Sequence, residues 1–363
     1  QLLGSDYITF NGIEVRDAGT SSTDYVEYGF YFLAASATDG CQNNTVKNCL
    51  VDLSKANTSS KAVYLVSSSA SATTGTNSTN YFYNNTIQDA YSAYYFSGSS
   101  TAANYNDGNK IGTIDGGASM IDNIGGGSSS VYALYMPYEK NFEFYGTTVS
   151  NITASTSIYV YYNGLGSSAI QSIYNNTFSS ISGSSRFSTV YGLYLSSGTT
   201  YNIYGNVFTA MSAPYDIYPM YISSGTTINV YQNKVHNITY SGSSSYSAYG
   251  IAIAGGTTAN VYNNLFFDIK APASTGAPGV RALSLTGGTT VNAYYNTVYL
   301  DYTSTSASNQ SAALYVGTSP STLLMKNNTF TNMTNVSTGT RAVAFYKSST
   351  SLTNIRALFI MDI

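Results

Sequence analysis

The feature that most constrains this chain is a phrase that it keeps rewriting. GTTINVYQNKVHNI at 225–238 returns as GTTANVYNNLFFDI at 256–269 and as GTTVNAYYNTVYLD at 288–301. The Tyr, the Asn and the spaced aliphatic residues persist while the other letters drift. Alignment on Asn-x-apolar-x-x-apolar gives anchors at Asn11, Asn48, Asn85, Asn109, Asn176, Asn206, Asn233, Asn264, Asn296 and Asn328, with Thr147 standing in once. Their mean spacing is about 32 residues, a period that signals a solenoid, a propeller or a linear array. An apolar residue follows each anchor by two, from Ile13 and Leu50 through Ile111 to Phe330.

Each repeat also holds an apolar-x-apolar triplet such as Leu193-Tyr194-Leu195 or Met220-Tyr221-Ile222. Short runs of period two, broken by Gly-Thr-Thr or Ser-Ser-Gly turns, exclude helical solenoids. A WD-type propeller blade needs a longer repeat and a Trp, and this chain has none. What fits is one coil of a parallel β-helix per repeat. The whole chain, 1–363, therefore reads as all-β, one continuous solenoid of about eleven coils. Alternation places Ile228 and Val230 inside and Asn229 and Tyr231 outside. Asn233 is expected to take a left-handed turn and to bond to equivalent amides one coil away. Variable tracts at 241–247 and 272–278 are expected as loops on one edge.

These repeats resemble those of the right-handed parallel β-helix, or pectin-lyase-like, superfamily, as in large secreted bacterial surface proteins. SDYITFNGIEV at 5–15 resembles a first-coil phrase of that family, and the recurring Asn resembles its asparagine ladder. The resemblance implies an extracellular or cell-surface location and prompts a search for polysaccharide cleavage. Paired carboxylates or a cation with a base would be needed. The 17 acidic residues are scattered, with no Asp-Asp pair, and the one histidine, His236, falls in an outward slot as a surface residue. No catalytic residue and no cofactor are assigned. Asp52 and Asp89, each four residues after an anchor, are the weak calcium candidate. The same slot holds Thr113, Asn151, Ser180, Asn237, Asp268 and Asn332, which favours a turn-bonding polar residue.

Two tyrosine columns stand at outward parity. One comprises Tyr83, Tyr145, Tyr174, Tyr204, Tyr231, Tyr262 and Tyr294; the other comprises Tyr31, Tyr64, Tyr95, Tyr135, Tyr159, Tyr194, Tyr221 and Tyr315. They could stabilise the solenoid faces by like-on-like stacking, or offer a flat aromatic surface to a neighbouring fibre or to surface glycans. Cys41 and Cys49 could form one local disulfide or remain free thiols. Asn-x-Ser/Thr occurs at Asn43, Asn57, Asn77, Asn84, Asn151, Asn175, Asn237, Asn309, Asn327, Asn332 and Asn335, candidate glycosylation sites if the host glycosylates.

With 14 basic and 17 acidic residues and a net charge of −3, the chain lacks the basic patch of a nucleic-acid binder. No apolar run is long enough to span a membrane as a helix. No polar cap is legible at either end, and Ile355–Ile363 (IRALFIMDI) is strand-like, so 352–363 is an expected inter-subunit strand in a head-to-tail homopolymer. The leading expectation is a structural subunit of a filament, sheath or surface layer. The alternatives are an adhesin stalk or passenger region, and a polysaccharide-binding or polysaccharide-degrading β-helix.

Overall fold

The computed structural model describes residues 1–19, 24–126, 129–164, 166, 169–337 and 340–348, and the backbone of 354–358. The chain is an all-β parallel solenoid of about 11 coils roughly 31 residues apart, and no α-helix occurs among the described residues. Each coil adds strands in parallel to three long sheets. Sheet A has 12 strands, from Leu2–Leu3 to Ala342–Lys347. Sheet B has 12, from Thr9–Asn11 to Asn354–Leu358, and sheet C has 11, from Glu14–Arg16 to Thr329–Asn332. Asn106–Asp107 and Glu139–Lys140 form a separate two-stranded ribbon. The predicted inter-subunit strand is partly described: Asn354–Leu358 pairs within the chain with Thr322–Lys326. Residues 352, 353 and 359–363 of that segment lie outside the described residues.

Side-chain alternation builds sheet B directly. In Thr227–Tyr231, Ile228 and Val230 are buried while Thr227, Asn229 and Tyr231 face outward. Two residues then turn the chain into sheet C. The first holds the left-handed backbone, at Gly146, Asn175, Gly205, Gln232, Asn263 and Asn327 among others. The second is the buried asparagine. This corrects the expectation for Asn233, because it is Gln232, with φ 56°, that takes the left-handed conformation. Asn233 points inward, where its amide can meet the coils on both sides.

The inward asparagines form one ladder. The Nδ2 groups of Asn176, Asn206, Asn233, Asn264 and Asn296 each donate to the next Oδ1 at 3.0 Å, ending at Asn328. Each Oδ1 also accepts a backbone N–H, as when Asn206 N donates to Asn233 Oδ1 at 3.0 Å. Thus the turn's inward polar groups are satisfied by the neighbouring coil, as burial requires. Thr147 stands in the same column, its N–H donating to Asn176 Oδ1. Three anchors do not. Ile13, Cys49 and Ser119 hold the column where Asn11, Asn48 and Asn109 were expected, as strand register shows. Accordingly Ile13 is exposed and Val15 faces the core.

Asn109 belongs to another ladder, in which Asn44 Nδ2 donates to Asn80 Oδ1 at 3.0 Å and Asn80 N to Asn109 Oδ1 at 2.8 Å. Coils there are longer, 36 residues from Asn44 to Asn80 against 27 from Asn206 to Asn233. The period is therefore less uniform than the anchor spacing implied. The predicted tracts at 241–247 and 272–278 connect sheet C strands to sheet A strands.

A single hydrophobic core runs through the coils, with Phe144, Phe178, Phe208 and Phe266 fully buried. Phe178 and Phe208 stack at 4.6 Å. The sheet A strands Val131–Tyr135, Ile158–Asn163, Val190–Leu195 and Ile217–Ile222 break the alternation once each. In Val190–Leu195, Gly192 and Leu193 are both buried, so Tyr191 and Tyr194 both face outward. The bend column contains Ala62, Ala93, Ala133, Val160, Gly192, Pro219, Gly250, Ala282 and Ala313. A side chain on Gly192 would lie 2.4 Å from the Pro219 carbonyl oxygen, which explains why small residues dominate.

Candidate functional site: the outer tyrosine and asparagine faces

Sheet B carries the first predicted tyrosine column. Tyr145, Tyr174, Tyr204, Tyr231 and Tyr262 stack in sequence with centroids 4.8–4.9 Å apart and planes within 6°. Tyr83 is separated from them by Gly112, and a side chain on Gly112 would meet the Tyr145 ring at 2.9 Å. Tyr294 shares the column but no ring contact joins it to Tyr262. Because stacked rings cover one another's faces, this ladder presents ring edges and hydroxyls to solvent: of the two alternatives, the like-on-like stacking is the one seen, and the flat aromatic surface is not. Beside it runs an outward asparagine ladder: Asn229, Asn260 and Asn292 each donate to the preceding Oδ1 at 2.8–2.9 Å, starting from Asn202.

Sheet A carries two tyrosine columns where one was expected. The first joins Tyr31, Tyr64, Tyr95, Tyr135, Tyr162, Tyr194, Tyr221, Tyr315 and Tyr346, with Ala252 and Ser284 between Tyr221 and Tyr315. Tyr162, and not Tyr159, is its fifth member. Tyr159 belongs to the second column with Tyr132, Tyr191, Tyr218 and Tyr249. Within columns most neighbouring rings are near parallel, Tyr64 and Tyr95 at 76° being an exception; between columns they meet edge to face, as for Tyr159 and Tyr162 at 87°. The result is a herringbone, a favoured arrangement for aromatic quadrupoles. Cations border it, with Lys61 over Tyr64 at 5.0 Å and Arg281 over Tyr315 at 4.4 Å. Burial and neighbouring phenols push the Tyr135 and Tyr159 hydroxyls up to about 12. The overlooked signal was Tyr-x-x-Tyr within the triplet strands, at 28–31, 132–135, 159–162, 191–194 and 218–221; the same spacing elsewhere, as at 91–94 and 201–204, includes a buried tyrosine.

The acidic pair does not assemble. Asp52 lies opposite Gln88, and its Oδ2 accepts from Arg16 Nη1 at 2.8 Å. Asp89 sits one column further, in a left-handed bend, accepting from the Asn123 amide. The calcium candidate failed because the Asn48 anchor was one residue out of register. The same bend places Asn151, Ser180, Asn237 and Asp268 at φ 48–56°. Among the described residues no group of three or more His, Cys, Asp or Glu gathers to hold a metal, and no helix is long and apolar enough to cross a membrane.

Cys41 and Cys49 are buried free thiols, which corrects the disulfide alternative. Each occupies an asparagine-ladder place, its N–H donating to Asn77 Oδ1 at 2.7 Å and Asn85 Oδ1 at 2.9 Å respectively. Of the glycosylation candidates, Asn77 and Asn309 are fully buried with their amides bonded to core carbonyls. Asn151, Asn175, Asn237, Asn327 and Asn335 are exposed; Asn43, Asn57, Asn84 and Asn332 are partly so. His236 is half-buried and stacks on Phe267 at 4.7 Å.

One group escaped the sequence reading. Glu139 is fully buried where two short ladders end, its oxygens accepting from Asn106 Nδ2 at 2.7 Å and Asn109 Nδ2 at 2.8 Å. Desolvation raises its carboxyl to about 8, against those two hydrogen bonds.

Fold and faces together define the class: a parallel β-solenoid with asparagine and tyrosine ladders. Comparison with protein-family models, curated proteins and solved structures gives no match.

Proposed function

We propose that this chain is a noncatalytic structural rod, a β-helical subunit of an extracellular filament, sheath or surface layer. The observation that carries this reading is the use of the outer side chains. Tyrosines and asparagines on sheets A and B bond to their counterparts one coil away, so the outside stiffens the rod as the core does. Eleven rungs at about 4.8 Å make a rod about 50 Å long. Groups suited to acid–base chemistry are engaged structurally: Asp52 with Arg16, His236 against Phe267, Glu139 inside the core. The likeness of the repeats to those of secreted β-helix surface proteins supports the extracellular location.

Electron microscopy and sedimentation of the purified chain over a wide concentration range test the reading. Fibres or laterally ordered sheets are the expected result. Single rods at every concentration would overturn assembly, and release of reducing or unsaturated sugar from pectin, alginate or a glycosaminoglycan would overturn the noncatalytic role.

A further inference from the structure

We propose that the break in the sheet B tyrosine ladder, between Tyr262 and Tyr294, is a binding site for a neutral pyranose ring of a polysaccharide. This goes beyond the structural role and does not depend on it. Tyr262 and Tyr294 are paired in strand register, so an unperturbed ladder would stack them as it stacks Tyr231 on Tyr262 at 4.8 Å and 1°. Instead the Tyr294 hydroxyl turns to Asn292 Oδ1 at 3.3 Å, and the stack ends. One face of Tyr262 is left without a partner ring. Beside it opens a cleft of about 360 Å³ lined by Asn229, Asn260, Tyr262, Asn263, Tyr294 and Tyr295.

A second, independent observation lies at Tyr295. It occupies the left-handed turn position, φ 54°, which Gly146, Asn175, Gly205, Gln232, Asn263 and Asn327 fill in other coils. A bulky aromatic there is a genuine outlier and strains the backbone locally. The residue is 56% exposed. Strain and exposed apolar surface thus coincide at the rim of the Tyr262 face that lacks a partner ring.

The lining chemistry selects the ligand. Tyrosine rings suit the C–H face of a sugar, and asparagine amides suit its rim of hydroxyls. Asn260 uses one N–H on Asn229 Oδ1 and accepts one bond from Asn292, so a second N–H and a second lone pair remain for a ligand. No lining residue carries a formal charge, and the nearest cation in the column, Lys326, is one strand further on. With no formal charge in the lining, a neutral sugar matches this site better than a uronate, which would have Lys326 on the next strand as its nearest cation in the column. The cleft lies within the usual size range of ligand pockets. The outward asparagine ladder gives a longer glycan a hydrogen-bonding track along the rod.

Affinity electrophoresis of the whole chain through gels containing galactomannan, hydroxyethyl cellulose or polygalacturonate tests the proposal, with Tyr295→Gly as the variant. Gly occupies the same turn position at 146 and 205, so the variant keeps the fold, and its thermal unfolding is measured alongside. The expected result is retardation by a neutral polymer, weakened about ten-fold or more in Tyr295→Gly, which corresponds to about 1.4 kcal/mol of stacking. Three outcomes overturn it: no retardation by either neutral polymer, retardation by polygalacturonate alone, or undiminished binding by a folded Tyr295→Gly.

Discussion

Asn233 shows how much one side chain can do in a solenoid. Its Oδ1 accepts from the backbone and the amide of Asn206, while its Nδ2 donates to Asn264 and to the Ile203 carbonyl. Asn233→Ala strands a buried N–H and a buried carbonyl, and a loss of about 3 kcal/mol is expected in denaturant unfolding. Glu139 makes a different prediction. Its carboxyl ionises at about 8 when folded against 4.5 for an ordinary glutamate. The folded state therefore keeps a proton that the unfolded state releases. Its contribution is fully present below about 4.5 and is lost as pH rises through about 8. Glu139→Gln, which copies the neutral form, should flatten stability against pH between about 5 and 8. An unchanged slope in that variant would remove Glu139 as its source.

At the scale of elements, the sheet B ladder is a column of identical contacts whose centre matters most. Tyr231→Ala removes stacking on Tyr204 and on Tyr262, an expected loss of about 1–3 kcal/mol for two aromatic contacts. Tyr231→Phe keeps both stacks and should cost well under 1 kcal/mol, because the outward hydroxyl faces water. Equal losses in the two variants would show that the hydroxyls, and not the rings, hold the column. Sheet A makes a further point about elements. Tyr191 and Tyr194 share a face only because Gly192 and Leu193 both turn inward. Strict period-two reasoning assigns residues three apart to opposite faces, so the second column was invisible to it although Tyr-x-x-Tyr recurs in plain view.

For the whole molecule, one continuous core and ladders along the axis couple tyrosine ionisation to folding. Tyr135 and Tyr159 are pushed to about 12, above the ordinary value of 10.0. Raised phenols contribute stability that is intact below 10 and declines as pH rises through about 12. Alkaline titration should show phenols such as Tyr135 and Tyr159 ionising above 10, together with loss of the far-ultraviolet β signal. Ionisation of every phenol near 10 with the β signal intact would contradict the burial of Tyr135 and Tyr159.

What the sequence determined by itself was the architecture and most inward positions. A coil must stack on its neighbour with like residues on like, so the repeat, its alternation and the later anchors from Thr147 to Asn328 are written in the letters. Tertiary structure decided the register of the early coils, where a one- or two-residue ambiguity around Asn48 and Asn11 moves every side chain to a new column and Asn109 falls in a different ladder altogether. It also decided which polar groups meet. Asp52 finds Arg16 across a sheet, Cys41 and Cys49 stand in separate ladders, and Glu139 closes both the Cys41 ladder and the one through Asn44, Asn80 and Asn109. Such encounters depend on coil length and backbone bends, which 36-residue and 27-residue coils set differently. The gap beside Tyr262 belongs to the same class: the sequence repeats its tyrosine there, and only the packed coil shows the ring turned away.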